Sequence, residues 1–321
     1  MTKGIAVAGS ILVDKIFEIH RYPNPGELAP IHGLSRAVGG CVPNVAIDLK
    51  RMDPSLPVYA LGRIGDDEDG RFARKTMEEE GVDVSHLSIS DSQTSFTEVM
   101  SVTGGQRTFF SYPGSSADFG FSDIPFDSLD IKRLHLGYFL LLPTVDQGDG
   151  LKILQEAKRR GIQTSIDLVS ENGDRYSSIL PCLPYVDDLI VNEVEAARLA
   201  GEEPSFANME SIGKKLLSLG VTSRVIIHAP EFGMVITPKK TTVLPSLRIS
   251  PDEIAGTTGA GDAFCAAALL SLLEGKGDEE LLAFASMAAG SALLSLDATS
   301  AIRTEKEIRS SWEGRERRIL C

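Results

Sequence analysis

Chemistry is concentrated in one stretch, Ala255–Leu270, which reads Ala-Gly-Thr-Thr-Gly-Ala-Gly-Asp-Ala-Phe-Cys-Ala-Ala-Ala-Leu-Leu. Small, flexible residues give way after Asp262 to a strong helix former. A glycine-rich turn running into a helix start aims several free backbone N–H groups at one place. The helix dipole adds a partial positive charge there. Such a place holds phosphate, or the charge that develops on a phosphoryl group. Asp262 is the odd member, because a carboxylate repels phosphate; it fits as a group that takes a proton. A glycine-cradled anion site beside a general base is equipment for moving a phosphoryl group onto a hydroxyl. Ordinary turn chemistry explains the same residues, since aspartate suits a first helical turn and glycine often precedes one. The stretch is not a P-loop, because no Gly-Lys-Ser/Thr closes it, and its spacing is not that of a dinucleotide fingerprint.

Three further groups have types that suit a ligand. Val38-Gly-Gly-Cys-Val-Pro-Asn44 is a second glycine turn before a helix. Its adjacent Gly39 and Gly40 let backbone approach a ligand closely. Asn44 either caps that helix or presents its amide to a hydroxyl-rich ligand. Asp14 ends the first strand-like run. The acidic loop Gly65-Asp-Asp-Glu-Asp-Gly70 lacks the spacing and closing Glu of an EF-hand and reads as a solvated turn.

The elements that must position these residues follow an α/β rhythm. Gly4–Val13 is an apolar, β-branched run, read as a buried strand. Phe17–Ile31 contains three prolines and reads as edge strand or loop. Val58–Ile64 is a strand and Arg71–Glu80 a helix. Thr94–Val102 and Gln106–Tyr112 form a hairpin around Gly104-Gly105 and are less apolar, as rim strands are. Lys132–Leu142, Ile162–Leu168, Leu189–Asn192, Arg224–His228 and Gly233–Thr237 read as strands. Leu151–Arg160, Glu193–Ala200, Met209–Leu219, Ala260–Glu274, Glu279–Leu294 and Glu305–Arg318 read as helices. This alternation predicts a parallel sheet covered on both faces, with ligands at the carboxyl ends of its strands. Asp14, Asn44, Asn192 and Asp262 all fall at strand ends or helix starts, hence on one edge of that sheet.

With 321 residues, 42% hydrophobic and 24% charged, the chain has the composition of a globular protein. Its net charge of −13 argues against a nucleic-acid or acidic-membrane binder. Cys41, Cys182, Cys265 and Cys321 have no paired spacing, which suggests neither a zinc site nor a disulfide framework and fits a reducing compartment. No signal peptide opens the chain, so a cytoplasmic location is expected. The uncharged run Leu281–Leu296 is short for a membrane span and suits a buried helix.

On these residues the chain resembles the ribokinase-like (phosphofructokinase-B) carbohydrate kinase family. The pieces are Gly39-Gly40 with Asn44, then Gly62-Arg-Ile-Gly65-Asp66 with Gly70, then Asn192-Glu-Val-Glu195, and Thr257-Thr-Gly-Ala-Gly-Asp262. Each is weak alone, but four in the family's order over nearly the whole chain make a strong signal. The resemblance implies one doubly wound, mostly parallel α/β domain over residues 1–321, with a small β lid from about 14–33 and 94–112. It implies phosphorylation by ATP of a hydroxymethyl group on a sugar, polyol or nucleoside. Asp262 would be the catalytic base, and Gly259, Ala260 and Gly261 the anion hole. Asn192 and Glu195 would organise Mg2+, largely through water; Asn192, Thr258, Gly233 and Gly261 would meet the nucleotide. Asp14, Gly39, Gly40 and Asn44 would contact the acceptor, with Thr97, Phe109 and Ser111 covering it from the lid. A homodimer through the lid is also implied.

There are departures. Gly256 stands where the family usually has an aspartate that helps hold a monovalent cation, which puts potassium activation in question. Pro230 replaces a glycine in the nucleotide loop and removes a donor N–H. Cys41 replaces the lysine of ribokinases proper, and their acidic sugar contact near Tyr138 and Phe139 is missing, so ribose is not favoured. Cys41 reads as a small packing residue. The alternative function is a catalytically silent sugar or nucleotide sensor on the same fold.

Overall fold

The first strand, β1 (Gly4–Ala8), shows why a two-sided sheet forms: all five of its residues are buried. Ile5 and Val7 point into one apolar core, and Ala6 and Ala8 into another. A strand dry on both faces needs helices on both sides. The structure, a computed structural model, describes residues 3–103, 106–170, 173 and 175–320. The expected Gly104-Gly105 turn therefore lies outside the described residues.

After β1 come β2 (Leu12–Ile19), β3 (Ile31–Gly39), helix α1 (Cys41–Met52), β4 (Val58–Leu61), β5 (Arg63–Gly65), α2 (Glu68–Glu79) and β6 (Ser88–Ser90). Next are β7 (Ser95–Val102), β8 (Arg107–Tyr112), β9 (Ile131–Phe139), α3 (Gly150–Arg159), β10 (Gln163–Leu168), β11 (Asp188–Asn192), α4 (Glu193–Ala200) and α5 (Phe206–Ser218). The chain ends with β12 (Arg224–His228), β13 (Phe232–Ile236), β14 (Thr241–Pro245), α6 (Ala260–Glu274), α7 (Asp278–Ala292) and α8 (Glu305–Ser311).

Eight strands form the main sheet in the order β14-β13-β12-β11-β10-β9-β1-β4. Pairing is parallel from β4 to β12 and antiparallel from β12 to β14. The reversal has a local cause: only Ala229–Glu231 separate β12 from β13, too few residues for a crossover helix. A second sheet of four strands runs β3-β2-β7-β8. The run expected as one strand over Val58–Ile64 breaks at Gly62, and its second part, β5, leaves the main sheet to pair with β6. The last helix stops at Ser311 rather than Arg318, and the segment beyond it turns back so that Arg317 bridges Leu247.

α6 packs between α1 and α7. Every residue from Asp262 to Leu272 is buried, so this helix is apolar all round, as a central helix must be. Truncating a core side chain such as Leu269 is expected to cost about 2–5 kcal/mol. That rigidity fixes the start of α6, where Asp262 sits.

Candidate active site

β9, β10, β11 and β12 run parallel, so their carboxyl ends share one edge of the sheet. Tyr138, Asp167, Asn192 and His228 lie at those ends. The start of α6 rises against the same edge. Tyr138, Asp167, Asn192, Glu195, Gly261 and Asp262 line one cavity of about 220 Å³. A larger, mostly apolar cavity of about 440 Å³ adjoins it through Asn192, His228 and Gly261.

Asp262 occupies the first turn of α6 and is 8% exposed. Its Oδ2 accepts from Asn44 Nδ2 at 2.9 Å. The Tyr138 hydroxyl donates to both carboxylate oxygens, at 3.0 and 3.1 Å. Burial, then the charge of nearby Asp167, push its carboxyl up to about 7; the Asn44 and Tyr138 hydrogen bonds pull the other way. The helix start itself carries no side-chain cap. Its N-cap is Gly259 at φ +80°, and a Cβ there would lie 2.4–2.6 Å from Ala298. The Ala260 amide donates to the Thr257 carbonyl at a long 3.4 Å, and no side chain competes for the first-turn amides, which keeps them open to another acceptor.

Asn44 sits in the first turn of α1 but does not cap it. Ser10 does that work: its Oγ accepts from Cys41 N at 3.2 Å and its carbonyl from Val42 N at 3.1 Å. Asn44 is thereby free to hold Asp262. Gly40, at φ +92°, makes the corner from β3 into α1, and a Cβ on it would lie 2.6 Å from the Ser10 carbonyl.

Asp14, on β2, lies opposite Thr97 on β7, and Thr97 lies opposite Ser111 on β8. Directly paired residues share a face. Phe109, two residues from Ser111, shares it too and pairs with Val99. One face of the second sheet thus carries Asp14, Thr97, Ser111 and Phe109. Burial lifts the Asp14 carboxyl to about 6, opposed by its hydrogen bond with Thr97. The missing side chain of Gly39 makes room for it, since a Cβ there would sit 2.6 Å from Asp14 Oδ2.

Asn192 and Glu195 form a capping box at the start of α4. Asn192 Oδ1 accepts from the amides of Val194 and Glu195, and Glu195 Oε2 accepts from Asn192 N at 3.0 Å. Ser170 completes the set, donating to Glu195 Oε1 at 2.8 Å and accepting from Asn192 Nδ2 at 3.0 Å. Burial raises Glu195 to about 7. Each of its oxygens accepts one hydrogen bond and Asn192 Oδ1 accepts two, which favours contact with a cation through water.

Two expected nucleotide contacts stand apart from the rest. Gly233 is buried within β13, where a Cβ would meet Leu282 at 2.9 Å, and it lines neither cavity. Thr258 is exposed, and Thr257 lines the larger cavity instead. Conversely, three residues at the site carry no assigned role in the sequence reading. Tyr138 reaches Asp262 because its backbone is left-handed, φ +59°, a strained state for a tyrosine. Asp167 accepts the Tyr138 amide. His228 is half-buried at the junction of the two cavities, and desolvation holds it near 4, hence neutral at pH 7. Asp167 and His228 end predicted strands, which was a usable signal; nothing in the sequence marks the turn at Tyr138.

Comparison with known proteins shows which fold and family this chain shares. The chain is 28% identical over 291 residues to a ribokinase of Arabidopsis thaliana, covering 89% of this chain and 74% of that one. It is 27% identical over 251 residues to a fructokinase of Salmonella typhimurium, covering 74% and 78%. Arabidopsis thaliana ribokinase, solved with ribose and ATP, superposes with a TM-score of 0.83 at 22% identity, covering 98% of this chain and 99% of that one. Ribokinase from Thermotoga maritima gives 0.80 at 23% identity, covering 96% and 98%. These likenesses establish the ribokinase fold, the main sheet flanked by helices and the smaller second sheet. The family model for pfkB family carbohydrate kinases matches residues 2–305, nearly the whole length, and the chain belongs to that family.

Proposed function

We propose that this chain transfers the γ-phosphoryl group of ATP to a hydroxymethyl group of a sugar, polyol or nucleoside. The observation that carries the reading is Asp262: a buried carboxylate near 7, held by Asn44 and Tyr138, at an uncapped helix start between two joined cavities. The larger, apolar cavity suits a nucleobase, and the smaller one the phosphates. Asp262 takes the proton of the acceptor hydroxyl as that oxygen attacks phosphorus. The amides of Gly259, Ala260 and Gly261 meet the charge on the transferring group. Asp14, Gly39, Gly40 and Asn44 hold the acceptor's other hydroxyls, and the face bearing Thr97, Phe109 and Ser111 covers it. A carboxylate accepts well from neighbouring hydroxyls.

Asn192 and Glu195 would hold Mg2+ through its waters, an arrangement their existing hydrogen bonds favour. Mg2+ supplies charge that offsets the phosphate oxygens. Gly256 brings no carboxylate, so we expect no strong dependence on a monovalent cation. A homodimer through the other face of the second sheet would cover Leu34 and Phe110, which are 73% and 55% exposed.

The test is an ADP-release screen with Mg-ATP against pentoses, hexoses, inositols, sugar acids and nucleosides, with and without potassium. Substrate-dependent turnover that Asp262→Asn abolishes supports the reading. Ligands that raise the melting temperature without any turnover across the panel would instead identify a sensor.

A further inference from the structure

The cysteines have no paired spacing in the sequence, yet the fold gathers two of them. Cys41 is the first residue of α1, and Cys265 lies on α6. Both reach the space behind Asp262 where His135 of β9 and Asp167 of β10 also point. His135 Nε2 is 3.3 Å from Asp167 Oδ2 and 3.6 Å from Cys265 Sγ. Cys41, His135 and Asp167 offer ligand atoms that all lie within 4.8 Å of one another. All four residues are buried, Cys41 and His135 completely. Gly137 makes room for the Cys41 thiol, since a Cβ on it would fall 1.9 Å from Sγ.

We propose that Cys41, His135, Asp167 and Cys265 form a binding site for a thiophilic divalent transition metal of the zinc class. Tetrahedral zinc bonds of about 2.0–2.3 Å require ligand atoms about 3.3–3.8 Å apart. The two short separations already meet that requirement. Two sulfurs, an imidazole nitrogen and one carboxylate oxygen form a soft donor set, unlike the all-oxygen surroundings that suit magnesium. An outer partner is in place as well: His135 Nδ1 lies 3.1 Å from Ser165 Oγ, which leaves Nε2 for the metal. Asp167 and Cys265 line the 220 Å³ cavity, which gives an ion a way in. Binding as thiolates releases the two thiol protons to solvent.

The site would be coupled to Asp262 by construction. Cys265 lies one helical turn after Asp262, and Cys41 one turn before Asn44. Asp167 also takes the Tyr138 amide. A bound ion would tie together the elements that hold the base. The inference stands whether or not the chain transfers phosphate.

The test is a Co2+ titration of the chelator-stripped, full-length protein, followed by displacement with Zn2+. The expected result is one equivalent bound, with a thiolate-to-cobalt charge-transfer band and tetrahedral d–d bands. Cys41→Ser and Cys265→Ser should each weaken that band, and Ser165→Ala should weaken affinity about 10–100-fold. Glu210→Gln, half-exposed on α5, should leave the spectrum unchanged. X-ray absorption of the zinc-loaded wild type settles the matter even where a variant does not fold: two sulfur neighbours are expected. Zinc surrounded by nitrogen and oxygen alone, or cobalt binding without a thiolate band, overturns the proposal, as does the absence of binding.

Discussion

Along β9–β12 the two ends of the strands carry carboxylates in opposite circumstances. At the amino ends, Asp188 meets Arg133 at 2.7 Å and Arg224 at 3.4 Å, and Asp187 meets Lys158 at 2.6 Å. At the carboxyl ends, no lysine or arginine among the described residues pairs with Asp167, Glu195 or Asp262. Asp187 is held below the usual carboxylate range, whereas Asp262 and Glu195 rise to about 7. Half-buried Asp187 and buried Asp188 are paired with cations at one end, whereas buried Asp262 and Glu195 at the other end are left to take up a proton. A charge that already has its partner is part of the fold. One that lacks it is available for a ligand, and it draws the line between structure and chemistry more sharply than burial does.

If that line is real, exchanging residues on its two sides must have opposite effects. Asp262→Asn is expected to cost about 10²–10⁴-fold in turnover. Its stability should move the other way. Between about pH 4 and 7 native Asp262 keeps a proton that the unfolded chain has released, so wild-type stability falls as pH rises through that window. The asparagine escapes this, and Asn44 can turn its amide so that its unpartnered Oδ1 accepts from the new side chain. The variant should therefore melt above wild type at about pH 8, with the gap closing toward about pH 4. A lower melting point throughout would erase the contrast.

Asp188→Ala is the counterpart. It strands Arg133, whose side chain is 2% exposed, and should cost about 3–5 kcal/mol in denaturant unfolding. The folded fraction should keep wild-type kcat/KM. Smaller is the effect of pH on the wild type: kcat/KM for the acceptor should fall about tenfold per unit once pH drops below about 7, as Asp262 takes up its proton. A profile flat down to pH 5 would exclude Asp262 as the base. Smallest is Asn192→Ala, which removes a cap at a cost of about 1 kcal/mol. Asn192→Ser restores the cap, and a raised KM for Mg-ATP in that variant would separate a ligand role from a structural one.

Much of this edge was legible in the sequence, because helix starts announce themselves. Glycines before Asp262 and Asn44, and Asn192 three residues ahead of Glu195, mark where chains turn into helices, and parallel strands bring those turns together. The two antiparallel edge strands were less so, since their cause is the length of one short loop. Tyr138 was invisible: its role depends on a left-handed backbone that no neighbouring residue demands. The gathering of Cys41 and Cys265 was hidden for a different reason. They stand 224 positions apart in the sequence, as 265 − 41 shows, and spacing rules see only neighbours.

Gly40 has a consequence for how such a protein can diverge. It is the single residue between a strand of the second sheet and the helix that carries Asn44, and its corner cannot be copied by a residue with a side chain. On one side of it, exposed strand positions can be exchanged freely; on the other, a packed helix fixes the group that holds Asp262. Changes in the exposed strands can then accumulate without disturbing the helix that sets Asn44 against Asp262.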